Sequence, residues 1–381
     1  VSGTREQAKI LPAGSSPAFL ARPARRPRFA LLPRPPAFVE AFEDRALFYD
    51  CFWHHDGRRV LLVGPPPVNL DYASIVFRGG GNALAARFHT SRSVTITELD
   101  NVPAETHEIA VLFRDEMLSL PIQPNHCDDL VGRRLIFTIN RDNDLSWIRE
   151  WALWHAHHHG ADAVVLFDNG SSKYASAEVA AVLAEVPGIV AVAVHDWPHK
   201  FGPIDPAVLN NPYWSRFLQI ASMSVTLRRY GMKAYGLLDC DIDELALTQS
   251  GRAIFDLAHD SEGGLIVFRG TWVETMAEPD APPNAPHRAY RQVLADARAA
   301  QSRQRKWALD PSRDWVQRLS VHPYWHWIEG RGRGSKSMPD DASYAHFKAI
   351  NTNWKRPAAP VPMSPLQRHA GLERGFAELP Q

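Results

Sequence analysis

The stretch Tyr235-Gly236-Leu237-Leu238-Asp239-Cys240-Asp241-Ile242-Asp243-Glu244 climbs from apolar residues into four acidic groups within six positions. Carboxylates that close repel one another, and burying one without a partner is costly. A hard divalent cation relieves both problems. Mg²⁺ or Mn²⁺ suits the role, because either takes oxygen ligands and commonly links one or two carboxylates to substrate phosphates. In an extended segment, Asp239, Asp241 and Asp243 lie at spacing two and share one face. The stretch therefore reads as a cation held at the carboxyl end of a strand. The same residues also read as solvated acids at a strand end, capping the next element.

Strands that deliver such a cluster recur between residues 131 and 356. Leu135–Ile139 is a short apolar run ending in Asn140-Arg141-Asp142-Asn143-Asp144, with Asp144 placed to cap a helix. Trp147, Ile148, Trp151 and Trp154 then recur at helical spacing. Ala163–Phe167 ends in Asp168-Asn169-Gly170, and Ile189–Val194 ends in His195-Asp196-Trp197. Helices are expected around 175–186 and 214–230, before the acidic stretch. Alternating strands and helices predict an α/β domain with a mostly parallel sheet, its polar residues gathered at the carboxyl ends where such sheets bind ligands.

Residues 41–130 have a different texture. Short β-branched and aromatic runs alternate with Asp56-Gly57, Gly64-Pro65-Pro66-Pro67 and Gly79-Gly80-Gly81-Asn82, which predicts a small β-sandwich. The triple glycine lacks the Lys-Ser/Thr ending of a phosphate loop and reads as a tight turn. Residues 1–40, rich in Pro and Arg, predict an extended or disordered arm that could touch an anionic membrane surface. Residues 357–381 read as a Pro-rich tail wrapping the surface.

The 381 residues are 45% apolar and 22% charged, with 42 basic and 42 acidic side chains. That balance gives no global field for nucleic acid. Three separated cysteines exclude a disulfide framework and point to a reducing, cytoplasmic setting. No apolar run reaches the roughly 18 residues of a membrane span, and no signal-peptide core opens the chain. The chain begins with Val, so its translation start is expected to lie elsewhere. Composition leaves the oligomeric state open.

Asn140-Arg141-Asp142, Trp147-Ile148-Arg149-Glu150-Trp151, His155, Gly160-Ala161-Asp162 and Val165-Leu166-Phe167-Asp168-Asn169-Gly170-Ser171 form one ordered series. It resembles the opening of GT-A glycosyltransferases of the family 2-like and family 92 type. Asp241-Ile242-Asp243-Glu244 resembles their metal-binding DxD motif. Lys306-Trp307, Val321-His322 and His346-Phe347-Lys348 resemble their C-terminal segments. Arg141-Asp142 departs from the Glu more usual there, and the resemblance leaves residues 1–130 unexplained. It implies a nucleotide-sugar donor, UDP-linked, a glycan or glycoconjugate acceptor, and Mn²⁺ or Mg²⁺. It further implies Asp243 as a metal ligand, Asp241 as ligand or ribose contact, and His322 as the third ligand. Asn140, Asp168, Lys200, Gln219 and Lys306 are the implied donor contacts.

An inverting transferase, the expected type, needs a carboxylate to take the acceptor hydroxyl's proton. Glu274, just past Thr271-Trp272-Val273, is the first candidate, with Asp310 and Asp314 as competitors. Trp197, Trp214 and Trp272 could stack on sugar faces, or serve as core. His155 and His159 lie four apart on a helix, but no Glu follows His155, so the zincin pattern fails and a structural reading is preferred. Two alternatives to a transferase arise from the same residues. One is a sugar-phosphate nucleotidyltransferase, which would open with a Gly-rich, Arg-containing signature. The other is a glycan-binding protein on an inactive transferase-like domain.

Overall fold

The computed structural model describes residues 8–29, 31–203, 215–352, 360 and 363–380. In chain order the first strands are β1 (Lys9–Ile10), β2 (Ala18–Phe19), β3 (Ala46–Phe48), β4 (Asp50–Trp53), β5 (Val60–Gly64), β6 (Val76–Gly79), β7 (Asn82–Leu84), β8 (Ala86–Thr90), β9 (Thr95–Leu99), β10 (Glu108–Phe113) and β11 (Glu116–Pro121), with a short helix α1 (Pro36–Ala41) among them. Two four-stranded antiparallel sheets result, ordered β11-β10-β6-β7 and β4-β5-β9-β8. The expected small all-β layer is present. It is fused to the rest of the chain, because Tyr49, Phe52, Leu61, Val63 and Ile96 share one continuous core with Phe137, Phe167 and Trp307.

The second region contains β12 (Arg134–Asn140), α2 (Leu145–His159), β13 (Ala163–Asp168), α3 (Ser176–Ala184), β14 (Ala191–Asp196), α4 (Phe217–Val225), β15 (Gly236–Asp239), β16 (Glu244–Thr248), α5 (Ile254–Asp260) and β17 (Leu265–Val273). After it come β18 (Gln292–Leu294), α6 (Ala297–Ala300), β19 (Gln301–Leu309), α7 (Asp314–Gln317), β20 (His322–Pro323), β21 (Ile328–Glu329), β22 (Lys336–Ser337), β23 (Ala342–Phe347), β24 (Leu366–Arg368) and α8 (Ala370–Glu378). The main sheet has ten strands, ordered β1-β14-β13-β12-β15-β19-β17-β23-β16, with β22 beside β17. Pairings from β1 through β15 are parallel, while β19 and β16 run antiparallel to their neighbours. The chain steps outward from β12 to β14, then returns to lay β15 against the other side of β12. That reversal makes the β12/β15 junction a topological switch point, the place where open α/β sheets form a ligand crevice.

Helix α2 forms where the tryptophan spacing predicts it. Trp147, Ile148, Trp151 and Trp154 are buried, and Gly160 ends the helix in the left-handed region at φ 64°. Burying each large apolar side chain contributes on the order of 2 kcal/mol. Asp144 takes the capping position but makes no cap bond; its carboxylate accepts from Lys173 at 2.9 Å instead.

The described parts of both tails carry more structure than their composition implies. In the N-terminal arm, β1 extends the main sheet beside β14. Arg25 is buried and donates to the carbonyls of Pro66 and Ala46 and to the Tyr72 hydroxyl. The sheet edge gives the arm's backbone partners that a disordered segment lacks. At the other end, β24 pairs with β18, and α8 sets Phe376 against Trp154 at 4.8 Å between ring centres. Among the described residues no helix is long and apolar enough to cross a membrane.

Candidate active site at the sheet switch point

Strands β12, β13 and β14 end level with one another. Asn140 pairs with Asp168, and Asp168 with Asp196. On the other side of β12, Asp239 sits beside Phe137, so the acidic turn Asp241–Glu244 rises next to Asn140. Between them is a cleft of about 110 Å³ lined by Asn140, Arg141, Asn143, Asn169, Asp241 and Asp243, with Phe201 and Ile350 on its apolar side. The carboxyl ends of the parallel strands thus converge on the place that the alternation of strands and helices predicts.

The acids are unevenly balanced. Lys306, buried on β19, places its Nζ 2.8 Å from Asp241 Oδ2, 2.8 Å from Glu244 Oε2 and 3.9 Å from Asp239 Oδ2. Burial disfavours the Lys306 ammonium, but Asp239, Asp241 and Glu244 together reverse this and raise its pKa well above the usual value. Burial in turn raises the carboxyls of Asp239 and Glu244, with Lys306 opposing. One ammonium cannot satisfy three carboxylates. Asp239 Oδ2 and Glu244 Oε1 are buried and have no hydrogen-bond partner.

His346 completes the cluster from β23, where it pairs with Glu244 on β16 and with Trp272 on β17. Its Nε2 lies 3.1 Å from Asp243 Oδ2, and its Nδ1 3.7 Å from Glu244 Oε1. Burial opposes charge on the ring, but Asp243 outweighs it and the pKa is raised. The Trp272 ring stacks on His346 at 3.9 Å, fixing the imidazole plane. Ligand atoms of Asp243, Glu244 and His346 fall within 4.8 Å of one another. The unpartnered Glu244 Oε1 and His346 Nδ1 and the mixed oxygen and imidazole donors make this set fit a divalent cation.

His322, the third ligand that the resemblance implies, is not among the side chains gathered at these acids. His322 is buried on β20 with both ring nitrogens unpartnered, and its pKa is lowered to about 3 by burial, with Arg228 and His89 as its charged neighbours. Strand pairing, not chain order, puts His346 at the acids.

The remaining expected site residues divide. Asn140 and Asp241 line the cleft. Asp168 is turned into the loop after β13: its carboxylate accepts from Asn140 Nδ2 at 2.6 Å, Ser171 Oγ at 2.6 Å and the Ser171 amide at 2.9 Å. Its neighbour Asn169 lines the cleft instead. Both amide hydrogens of Asn169 go to the carbonyls of Trp197 and His199, which leaves a buried Oδ1 without a partner. Lys306 meets the acids and not an open phosphate position. Lys200 donates to the Phe42 carbonyl at 3.0 Å, with Asp44 at 3.5 Å. Gln219 is buried within α4 and does not line the cleft.

None of the three base candidates stands ready at the cleft. Glu274 is fully buried, and both its oxygens accept from Lys348 Nζ at 2.7 Å. A base must reach the acceptor hydroxyl, which this pairing prevents. Asp310 follows Leu309, which pairs with Leu237 and Leu265 at the amino ends of β15 and β17, so it lies across the sheet from the acidic turn. There its carboxylate meets Arg313 at 2.8 Å. Asp314 is exposed at the start of α7, just beyond it. Trp197 is core beside Phe167, Trp272 supports His346, and Trp214 lies outside the described residues.

His155 and His159 are structural. His155 Nδ1 donates to the Trp151 carbonyl at 2.8 Å and its Nε2 accepts from the Ala246 amide; His159 Nε2 donates to the Ala246 carbonyl at 2.9 Å. Sequence reading did not single out His346, which stands beside the acids, or Asn169, which lines the cleft. The signal for His346 was a lone imidazole in a strand that is otherwise apolar apart from Ser343, within a segment that resembles the family's C-terminal part.

Neither a family model nor a curated protein matches the sequence. Among solved structures, the chain is similar to an active-site mutant of LgtC at 12% identity, over 64% of this chain and 94% of that one, with a TM-score of 0.30. It is also similar to the apo structure of WbbM, described as a bifunctional glycosyltransferase, at 9% identity over 56% and 40%, with a TM-score of 0.25. At these values the likeness carries no argument, and the family 92 part of the resemblance finds no counterpart. The crevice itself must carry the functional reading.

Proposed function

We propose that this protein is a metal-dependent glycosyltransferase that moves a sugar from a nucleotide-sugar donor, UDP-linked, to a glycan or glycoconjugate acceptor. The observation that carries the proposal is the placement of Asp243, Glu244 and His346 at the switch-point crevice with ligand atoms within 4.8 Å of one another. Those three residues would hold Mn²⁺ or Mg²⁺, which when bound neutralises the departing diphosphate. Asn169 offers an acceptor with a fixed orientation to a hydrogen-bond donor on the nucleobase. Asn140 and Asn143, bonded to one another at 2.9 Å, shape the adjoining wall. Trp272 holds the His346 ring, and Lys306 keeps Asp241 and Glu244 in place between turnovers. Glu274, Asp310 and Asp314 are withdrawn from the cleft, so none of them is assigned as base. The anomeric configuration of the product decides between inversion and retention.

The test is release of nucleoside diphosphate from a panel of nucleotide sugars, with and without Mn²⁺. UDP release that needs the metal and is lost in Asp243→Asn is expected. A folded protein that releases no diphosphate from any donor, with or without acceptor glycans, would sink the reading.

One observation favours a second reading, a glycan-binding protein on an inactive transferase-like domain. Lys306 already lies 2.8 Å from both Asp241 and Glu244, so part of the cluster is neutralised without an ion. Glycan binding that is unchanged by Asp243→Asn and by chelator, with no metal-linked UDP affinity, distinguishes it.

A further inference from the structure

Helix α2 ends in His157, His158 and His159 before Gly160. Its two inward histidines, His155 and His159, are committed to backbone groups. The outward pair is placed differently. His158 and His157 meet the end of α8, where Glu378 projects beside them, and ligand atoms of His157, His158 and Glu378 lie within 4.8 Å of one another.

The hydrogen bonding of His158 selects its tautomer. Nε2 lies 3.1 Å from the Gly375 carbonyl, which can only accept, so Nε2 carries the proton. The lone pair is then on Nδ1, and Nδ1 faces Glu378 Oε2 at 3.8 Å. Two electron-pair donors so placed have no hydrogen between them to share. Metal-bound imidazoles show the same arrangement, with one nitrogen ligating and the other donating to a carbonyl. Zn–N and Zn–O bonds of about 2.0–2.2 Å require ligand atoms somewhat over 3 Å apart, close to the separation found. The carboxyl end of α2 adds a partial negative charge that favours a cation. The cluster borders a cavity of about 590 Å³ between α2 and α8, which leaves room for water to complete the coordination. Arg374, also on that wall, is a like charge that an ion bound here must overcome.

We propose that His157, His158 and Glu378 form a second metal site, distinct from the crevice, that takes a borderline divalent ion such as Zn²⁺ and clamps the C-terminal helix onto α2. The packing is already close: a Cβ on Gly375 would lie 2.2 Å from Trp154 Cη2, so α8 has little room to slide. Cross-linking α2 to α8 through an ion ties the last described helix to the helix that succeeds the crevice loop.

The site is tested on the full-length chain, stripped with chelator and titrated calorimetrically with Zn²⁺ in a His346→Ala background that disables the crevice set. One saturable equivalent is expected, with a rise in melting temperature and slower hydrogen exchange across 366–378. Glu378→Gln and His157→Ala should each weaken Zn²⁺ at least about tenfold. Both positions are exposed, so circular dichroism should show the parent fold. Absence of saturable binding in the His346→Ala background would overturn the proposal, as would Glu378→Gln and His157→Ala binding Zn²⁺ like their parent.

Discussion

Two clusters of buried charge hold this molecule, and they differ in how completely each is answered. At the seam between the all-β layer and the main sheet, Asp50 and Arg229 are both fully buried and meet at 3.0 Å. The Asp50 carboxylate also accepts from the amides of Ser16 and Cys51, while Arg229 donates to the carbonyls of Pro124 and Gly14. One charge faces one charge, and both Asp50 oxygens have partners; the one buried donor left over is Arg229 Nη2, which calls for no added cation. At the crevice, Lys306 faces three carboxylates, and Asp239 Oδ2, Glu244 Oε1 and His346 Nδ1 remain buried without partners. A cluster in balance is a structural joint. A cluster with surplus acid and unfilled acceptors is prepared for something that the chain does not supply.

The joint should break hardest. Arg229→Met leaves Asp50 charged and alone in the core, a cost of about 3–5 kcal/mol, read by chemical denaturation. Mn²⁺ should restore none of it. Adding Asp50→Leu to Arg229→Met should recover much of the loss, because an apolar pair replaces a stranded charge. If Arg229→Met is as stable as the parent, the seam is not held there. Asp243→Asn should leave stability nearly unchanged and lower kcat/KM for transfer by at least about 100-fold. Equal kinetics would place the ion elsewhere. Lys306→Met falls between these extremes. It should destabilise the metal-free protein by about 2 kcal/mol, since its carboxylates lose their one ammonium. Mn²⁺ should then raise its melting temperature more than it raises the parent's. An equal rise in both would mean that the acids admit no ion.

This contrast also marks how far the sequence could be read. The acidic stretch, the tryptophan helix and the level strand ends were legible because each is local: spacing two, helical spacing, and polar residues after apolar runs. Asp243 and His346 are 103 positions apart, and only the pairing of Glu244 with His346 across β16 and β23 joins them. His322 was the nearer guess by resemblance, and nothing in one sequence tells which imidazole a strand register will deliver. Proline and arginine predict an extended or disordered arm and cannot say what it meets: Arg25 has carbonyls to bind and β1 lies along a sheet edge, both supplied by distant segments. Glu274 was found as a carboxylate at the end of a strand. The lysine that closes it off, Lys348, lies 74 positions further on.

The smallest effect separates the clusters by pH. The His346 pKa is raised in the folded state against its ordinary value of 6.5, because Asp243 outweighs burial. A folded protein that binds the proton more tightly than the unfolded chain gains stability while both states are protonated. That gain is full below about pH 6.5 and is lost as pH rises through the higher folded value. Buried histidines whose pKa values burial lowers, such as His54, His159 and His322, add stability as pH rises over this range, so the His346 effect is read as a difference: on going from about pH 6 to about pH 8 the metal-free parent should lose a little stability relative to His346→Gln. Saturating Mn²⁺ should shrink that difference, because an ion at Asp243 takes the place of the proton's charge. The ion pair of Asp50 and Arg229 contains no histidine, so Arg229→Met should leave the slope over this range as it is in the parent. A pH dependence identical in His346→Gln and the parent would remove His346 from the charge balance of the crevice.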